Sequence, residues 1–296
     1  MPKLHPAVIP PIDWGRVDHL IDLALAEDLD LAGDTTTLAV IPEETRCRAV
    51  LRCKENEMTL AGLDVAKRVF EIVDPEIDFT ALKKDGELCQ KGDLLAEMTG
   101  PAQSILTAER TALNFLQRLC GVASTAHRYT EALRGTNCVI LDTRKTTPGY
   151  RNLEKYAVAV GGAVNHRIGL FDMVMIKDNH RELALLGDTE GIVHAVERAR
   201  AKFPTLPVEV EADRLEEVEA ALKAKADCIM LDNMSDELMA QAVQLVAGRA
   251  ELEASGGITL ERLPAIGKLG VDYVSAGALT HSVKAADISL DVEVAK

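Results

Sequence analysis

The sequence predicts an α/β protein: an incomplete (β/α) barrel of about six βα units, joined to an α+β unit of mixed strands. Three observations carry this. Short apolar runs (CVILD, MVMIK, PVEVE, DCIML, ELEAS and DYVSA) alternate with helical stretches through the second half of the chain. Alternations of this kind, with near-continuous apolar strands, make a parallel sheet covered by helices. The polar residues are phased to the ends of those runs, and in a barrel all such ends open on one face. The first third instead carries strands separated by Asp-Gly and Lys-Gly-Asp turns, a hairpin pattern.

Taken in order, Trp14 to about Ala26 repeats apolar residues at helical spacing, with Asp13 as its cap. EDLDLAGDTTTLAVIP reads as a polar turn. CRAVLRCKENEMTLAG and IDFTALKKDGELCQKGDLLAEMTGP read as strands, and LDVAKRVFEIV between them as a helix. The run KKDGELCQKGDLLAEMTG is similar to the β-hammerhead of biotinyl and lipoyl carrier domains. It offers no lysine at an exposed hairpin tip between flanking hairpins, so a small structural β module is the better reading. From Gln103 to about Leu133 the chain is helical, with Pro101 near its start and Gly121 interrupting its apolar faces. Glu109 and Arg110 sit on the polar edge of this helix, where a solvated face is their plain reading. The helices of the second half are RNLEKYAVAV, TEGIVHAVERARAKF, DRLEEVEAALKA, SDELMAQAVQLVAG and TLERLPAIGKL.

Composition excludes several function classes. A formal net charge of −14 repels nucleic acid and anionic membrane at long range, and 3% aromatics cannot build a stacking platform for single strands. Between Arg110 and Arg181, however, eleven Arg or Lys stand against five Asp or Glu. A local cationic pocket for a small anion fits that asymmetry better than a polymer-binding face. Six cysteines form no C-x-x-C pair and read as buried free thiols. The proline-rich N-terminus lacks a signal-peptide core, and no run reaches the ~18 apolar residues of a membrane span. A cytoplasmic location is the expectation.

The stretch from Leu141 to His180 concentrates the chemistry. Asp142-Thr143-Arg144-Lys145 follows one strand, Asn165-His166-Arg167 lies between two strands, and Lys177-Asp178-Asn179-His180 follows the next. Cations at buried strand ends are costly unless an anion meets them. Later strands end on Glu211, Asp232, Ser255-Gly256-Gly257, and Gly277 with His281. Small residues before a helix expected to begin near Thr259 let backbone N–H groups approach a phosphate, and SAGALTHS repeats the device at the next strand. Glu211 and Asp232 can hold Mg²⁺, bind ribose hydroxyls or stabilise developing positive charge. Lys177 also admits a Schiff-base role of the barrel-aldolase kind. That reading requires an apolar pocket, whereas other cations and two phosphate loops surround this lysine.

AERTALNFLQRLCGVAS, LDTRKTTPGYRNLEKYAV, GGAVNHRIGLFDMVMIKDNH, VEVE, IMLDNM, EASGGI and SAGALTHS together resemble the quinolinate phosphoribosyltransferase family over nearly the whole chain. Ala163 stands where many members carry a third glycine. The resemblance implies a sandwich domain (residues 1–113, completed by 278–296) and a barrel domain (residues 114–277). It implies pentosyl transfer from 5-phosphoribosyl 1-pyrophosphate to quinolinate with loss of CO₂, giving nicotinate mononucleotide for NAD synthesis, with Mg²⁺. It also implies a homodimer or higher homo-oligomer with a shared active site. Arg110 from the neighbouring subunit, Arg144, His166, Arg167 and Lys177 would bind the dicarboxylate. Lys145 would lie between the two substrates and act in catalysis with Glu211 and Asp232, which would also serve ribose and Mg²⁺. Ser255, Gly256, Gly257, Gly277 and His281 would hold phosphate.

Overall fold

In the computed structural model, residues 4–5, 7–187 and 189–294 are described. The first part of the chain forms α1 (Trp14–Leu29), α2 (Thr35–Val40), β1 (Arg46–Cys53), β2 (Met58–Thr59), α3 (Leu63–Val73), β3 (Asp78–Ala81), β4 (Leu88–Cys89), β5 (Leu94–Pro101) and α4 (Ala102–Ala132). Next come β6 (Val139–Leu141), α5 (Arg151–Val160), β7 (Val174–Ile176), α6 (Asp178–Leu183), α7 (Thr189–Lys202), β8 (Val208–Ala212) and α8 (Leu215–Lys223). The chain closes with β9 (Cys228–Asp232), α9 (Asp236–Val246), β10 (Glu251–Ser255), α10 (Leu263–Ile266), β11 (Tyr273–Ser275), α11 (Ala278–His281) and β12 (Ile288–Val294).

Two units result. Of the described residues, one unit holds those of Ile9–His127, Thr147–Gly162 and Ser282–Lys296, and the other those of Met1–Val8, Arg128–Thr146 and Ala163–His281. These limits differ from the expected breaks after residues 113 and 277. Most of α4, as far as His127, and all of α5 join the sandwich unit. Three contacts explain this: Arg118 meets the buried Glu154 at 2.5 Å, the Ala286 amide donates to the Gln117 carbonyl at 2.9 Å, and Gly161 backs onto Ala123.

In the sandwich unit β1 is the organising strand. It pairs antiparallel with both β12 and β5, giving the order β12-β1-β5-β3, while β2 and β4 form a separate pair. The carrier-like run therefore supplies β4 and β5 to sheets of a packed domain. Leu51, Leu95, Met98 and Phe70 are wholly buried, and α3 contributes Leu63, Val65, Ala66, Val69 and Phe70 from one face. The expected polar turn before β1 contains α2, whose amides are capped by Asp34 accepting from Thr37 at 3.0 Å; a run of threonines hides so short a helix from periodicity.

Gly121 does not interrupt α4, which runs unbroken for 31 residues. Its missing side chain has a packing reason: a Cβ there would collide with the backbone carbonyl of Lys284 and crowd Val283 and Ala285. In an open helix Gly→Ala would gain about 1 kcal/mol. Here the clash dominates, and Gly121→Ala is expected to destabilise by about 1–3 kcal/mol, read as a lower urea midpoint at unchanged slope.

The second unit is built on a parallel ladder, β6-β11-β10-β9-β8-β7, formed by the six expected strands. An isolated parallel bridge, Leu141↔Val164, extends it beyond β6. Among the described residues no ladder joins that segment to β7, so the barrel is incomplete. Alternate residues of each strand face its interior. Leu141, Val164, Cys228 and Tyr273 form an apolar base, with Leu4 and Val139 packed against it. All six cysteines are buried and free. No described helix is long and apolar enough to cross a membrane.

Candidate active site

The carboxyl ends of the barrel strands surround a cavity of about 790 Å³. Ten of the residues named from sequence line it: Arg144, Lys145, His166, Arg167, Lys177, Glu211, Asp232, Ser255, Gly256 and Gly257. Strand phasing is the cause, since Glu211, Asp232 and Ser255 occupy the last turn of β8, β9 and β10, and Lys177 directly follows β7. Gly277 and His281 lie beside the lining rather than in it. A Cβ on Gly277 would sit 2.8 Å from the His281 ring and 2.9 Å from Lys145 Cδ, so this glycine leaves room for both side chains. Arg110 is exposed on α4 and is not part of the lining.

Two of the cations crowd each other. Arg144 Nε is buried without a hydrogen-bond acceptor. Burial, and then the neighbouring Arg144 guanidinium, lower the proton affinity of Arg167. Two guanidiniums that destabilise each other in a partly buried cavity define a place where an anion is favourable. Lys177 is ion-paired to Glu211. The lysine thus sits against a carboxylate rather than in the apolar surroundings a Schiff-base lysine needs.

The glycine loop after β10 has an absolute steric requirement. Gly256 (φ +87°) and Gly257 (φ +60°) are both left-handed, and a Cβ on Gly256 would strike the Asn233 carboxamide and lie 2.9 Å from the Asn233 amide. Asn233, itself at φ 54°, lines the cavity and donates to Asp232 Oδ2 at 2.7 Å. The helix expected from Thr259 begins only at Leu263 and, like α11, has four residues. Pro264 fixes that late start. An anion here would therefore meet backbone N–H groups of a glycine turn, with little helix dipole behind them. Glu211 and Asp232 supply oxygen donors of the kind Mg²⁺ takes, and Asp232 is the better candidate because Glu211 already holds Lys177.

Sequence reasoning did not reach the cavity floor. Glu209 and Glu253 are fully buried, and each places Oε2 3.2 Å from His166 Nε2. Burial alone would lower the His166 pKa, but Glu253 and Glu209 outweigh it and raise it. Burial, then Glu253, push Glu209 up to about 7, whereas His166 overcomes burial to hold Glu253 low. Geometry opposes a doubly protonated ring: the Arg167 amide donates to Nδ1 at 2.7 Å, which only an unprotonated Nδ1 accepts. We assign the ring proton to Nε2, which lies 3.2 Å from an oxygen of each carboxylate without a well-directed hydrogen bond to either. His5, His166 and Glu253 bring ligand-type atoms within 4.8 Å of one another, yet a protonated Nε2 is a donor and not a metal ligand. Period-two spacing was the available signal, since Glu209 and Glu253 lie two residues before Glu211 and Ser255 on the same strand faces. Nothing in the sequence announced His5, whose ring lies 4.6 Å from that of His166.

Comparison with known proteins decides the family. The C-terminal domain of quinolinate phosphoribosyl transferase matches residues 122–291 and the N-terminal domain matches residues 34–120. This chain belongs to the quinolinate phosphoribosyltransferase family. It is 43% identical over 293 residues to a chloroplastic nicotinate-nucleotide pyrophosphorylase [carboxylating] of Arabidopsis thaliana, covering 93% of this chain and 82% of the relative. It is 42% identical over 278 residues to a probable nicotinate-nucleotide pyrophosphorylase [carboxylating] of Bacillus subtilis, covering 94% and 93%. The solved nicotinate-nucleotide pyrophosphorylase of Francisella tularensis superposes with a TM-score of 0.90 at 40% identity, covering 96% and 99%. Family membership accounts for the combination of an incomplete barrel with an antiparallel unit completed by the chain's last strand.

Proposed function

We propose that the protein transfers the phosphoribosyl group of 5-phosphoribosyl 1-pyrophosphate to the ring nitrogen of quinolinate, with decarboxylation to nicotinate mononucleotide, in NAD biosynthesis. The observation that carries the reading is the pair Arg144 and Arg167, one with a buried donor lacking an acceptor and the other destabilised by its neighbour. A dicarboxylate relieves both. Arg144, Arg167 and Lys177 bind its carboxylates, with His166 beneath them. Lys145 serves both anions, while Ser255, Gly256, Gly257, Gly277 and His281 hold phosphate.

The C1–pyrophosphate bond breaks with its electron pair leaving on oxygen, and the pyridine nitrogen supplies the new pair to C1. Glu211 and Asp232 stabilise the positive charge that builds on the ribose in between. No base is required, because the attacking nitrogen carries no proton. The pyridinium product then draws the electrons of the C2–carboxylate bond; CO₂ leaves and a proton replaces it. Asp232, with Glu211 nearby, would hold Mg²⁺, which supplies neutralising charge to the pyrophosphate.

We also propose a homo-oligomer with a shared site. Leu170 and Phe171, 74% and 73% exposed, and Leu183 and Leu185, 87% and 92% exposed, flank the cavity segment of the barrel unit. Apolar side chains so exposed favour an interface, and Arg110 of a second copy would complete the pocket. Six buried free thiols support a reducing compartment, the cytoplasm.

Purified protein given Mg²⁺ and both substrates should release CO₂ and form nicotinate mononucleotide, and chelation should stop it. Nicotinate should be a poor acceptor, because it offers one carboxylate to a pocket built for two. Absence of both products, or equal use of nicotinate, would overturn the reading.

A further inference from the structure

The barrel has a seam, and the pocket residue Arg167 lies on it. The segment carrying Arg167 is held to β6 through the single Leu141↔Val164 bridge, and no ladder joins it to β7 among the described residues. Such an edge would ordinarily fray. What fixes it comes from the interior. Asp142, fully buried, accepts from the His166 amide and from Asn165 Nδ2, both at 2.8 Å. His166 then reaches across the barrel to Glu209 on β8 and Glu253 on β10, two strands separated by β9. Its other nitrogen takes the Arg167 amide. The imidazole is thus a crossbar, set at one end against the carboxylates of two strands and tied at the other to the backbone of the residue it supports. The Arg167 guanidinium is held in turn by the Met173 carbonyl at 3.3 Å and Met175 Sδ at 3.4 Å.

Fold stability gives no reason for this arrangement. Burying two carboxylates is unfavourable, and buried ionic groups can generally be replaced by apolar packing at no loss. They also place negative charge beneath a cavity meant for anions, which works against binding. We propose that Glu209 and Glu253 are positioning residues, which act through the His166 ring to lock Arg167 in the carboxylate pocket across the open seam. The inference deepens, and rests on, the quinolinate reading of the site. A buried metal centre is the rival use of this cluster; the Arg167 amide on Nδ1 opposes it, because a neutral ring bound to metal through Nε2 carries its proton on Nδ1.

The test has two arms on the intact protein. Nitrogen-detected NMR of the wild-type histidines should show His166 as the Nε2–H tautomer; an Nδ1–H tautomer overturns the crossbar whatever the protein catalyses. In kinetics, Glu209→Ala should raise the quinolinate KM roughly ten- to hundredfold with the phosphoribosyl pyrophosphate KM nearly unchanged. Glu209→Gln keeps an oxygen acceptor for Nε2–H and should restore most of the loss; at Glu253 the Ala variant should show the same loss and the Gln variant the same recovery. A folded Glu209→Ala variant with wild-type quinolinate KM overturns the proposal, as does equal loss for both substrates or a Gln variant no better than Ala. Wild-type protein inactive on quinolinate would sink the functional reading instead, leaving the tautomer result to stand by itself.

Discussion

Lys145→Ala is expected to lower kcat/KM by roughly 10³-fold, with little change in melting temperature. The side chain is exposed at the cavity, so truncating it removes no core contact. Its backbone, by contrast, is fixed: the carbonyl accepts from Thr280 Oγ1 at 2.7 Å, and the amide donates to Thr143 Oγ1 at 3.1 Å. Gly277 leaves the space its stem occupies. A cation so presented, beside a dicarboxylate pocket and a phosphate loop, meets charge that shifts during reaction from ribose to departing pyrophosphate. Its interaction is therefore stronger in the transition state than with either bound substrate, and the loss should fall on kcat as well as KM. Lys145→Arg should recover only part, because a planar fork does not replace a compact ammonium in a gap left by one glycine. Steady-state kinetics following CO₂ release, with a thermal melt as control, check this. Activity within tenfold of wild type would remove Lys145 from catalysis.

Much of the barrel was legible because its strands are short, apolar on both faces and separated by long amphipathic helices. CVILD, MVMIK, PVEVE, DCIML, ELEAS and DYVSA all became strands of one sheet, and RNLEKYAVAV became α5 to the residue. Legibility failed where tertiary contacts overrule local pattern. Gly121 breaks a periodicity, yet it sits in an unbroken helix because the Lys284 carbonyl needs the space. The helix after the glycine loop begins late because Pro264 restricts its first turn. The rim of the site could be read from strand ends, since rim residues are polar where apolar ones would be expected. The floor could not be read so easily. Glu209 sits inside VEVE, where alternation equally suits an exposed face, and only barrel closure turns that face inward. His5 entered the interior from a segment with no periodicity at all.

Glu211→Gln is expected to separate the two duties of that carboxylate. Glu211 pairs with Lys177 and also faces the region where ribose charge would build. Removing its charge frees the Lys177 ammonium, which should leave the quinolinate KM unchanged or lower. It also withdraws stabilisation from the oxocarbenium-like transition state, which should cut kcat by roughly 10²–10³-fold. Gln matches the shape, so the fold should be unaffected. The pattern to look for is a fall in kcat without a rise in KM, the signature of an interaction made in the transition state alone. Lys177→Met should show the opposite bias, with its larger effect on quinolinate KM, because the cation it removes acts on the bound dicarboxylate. If Glu211→Gln raised KM and spared kcat, its main role would be to orient Lys177. Catalytic stabilisation would then fall to Asp232, the carboxylate at the end of the next strand, which also lines the cavity.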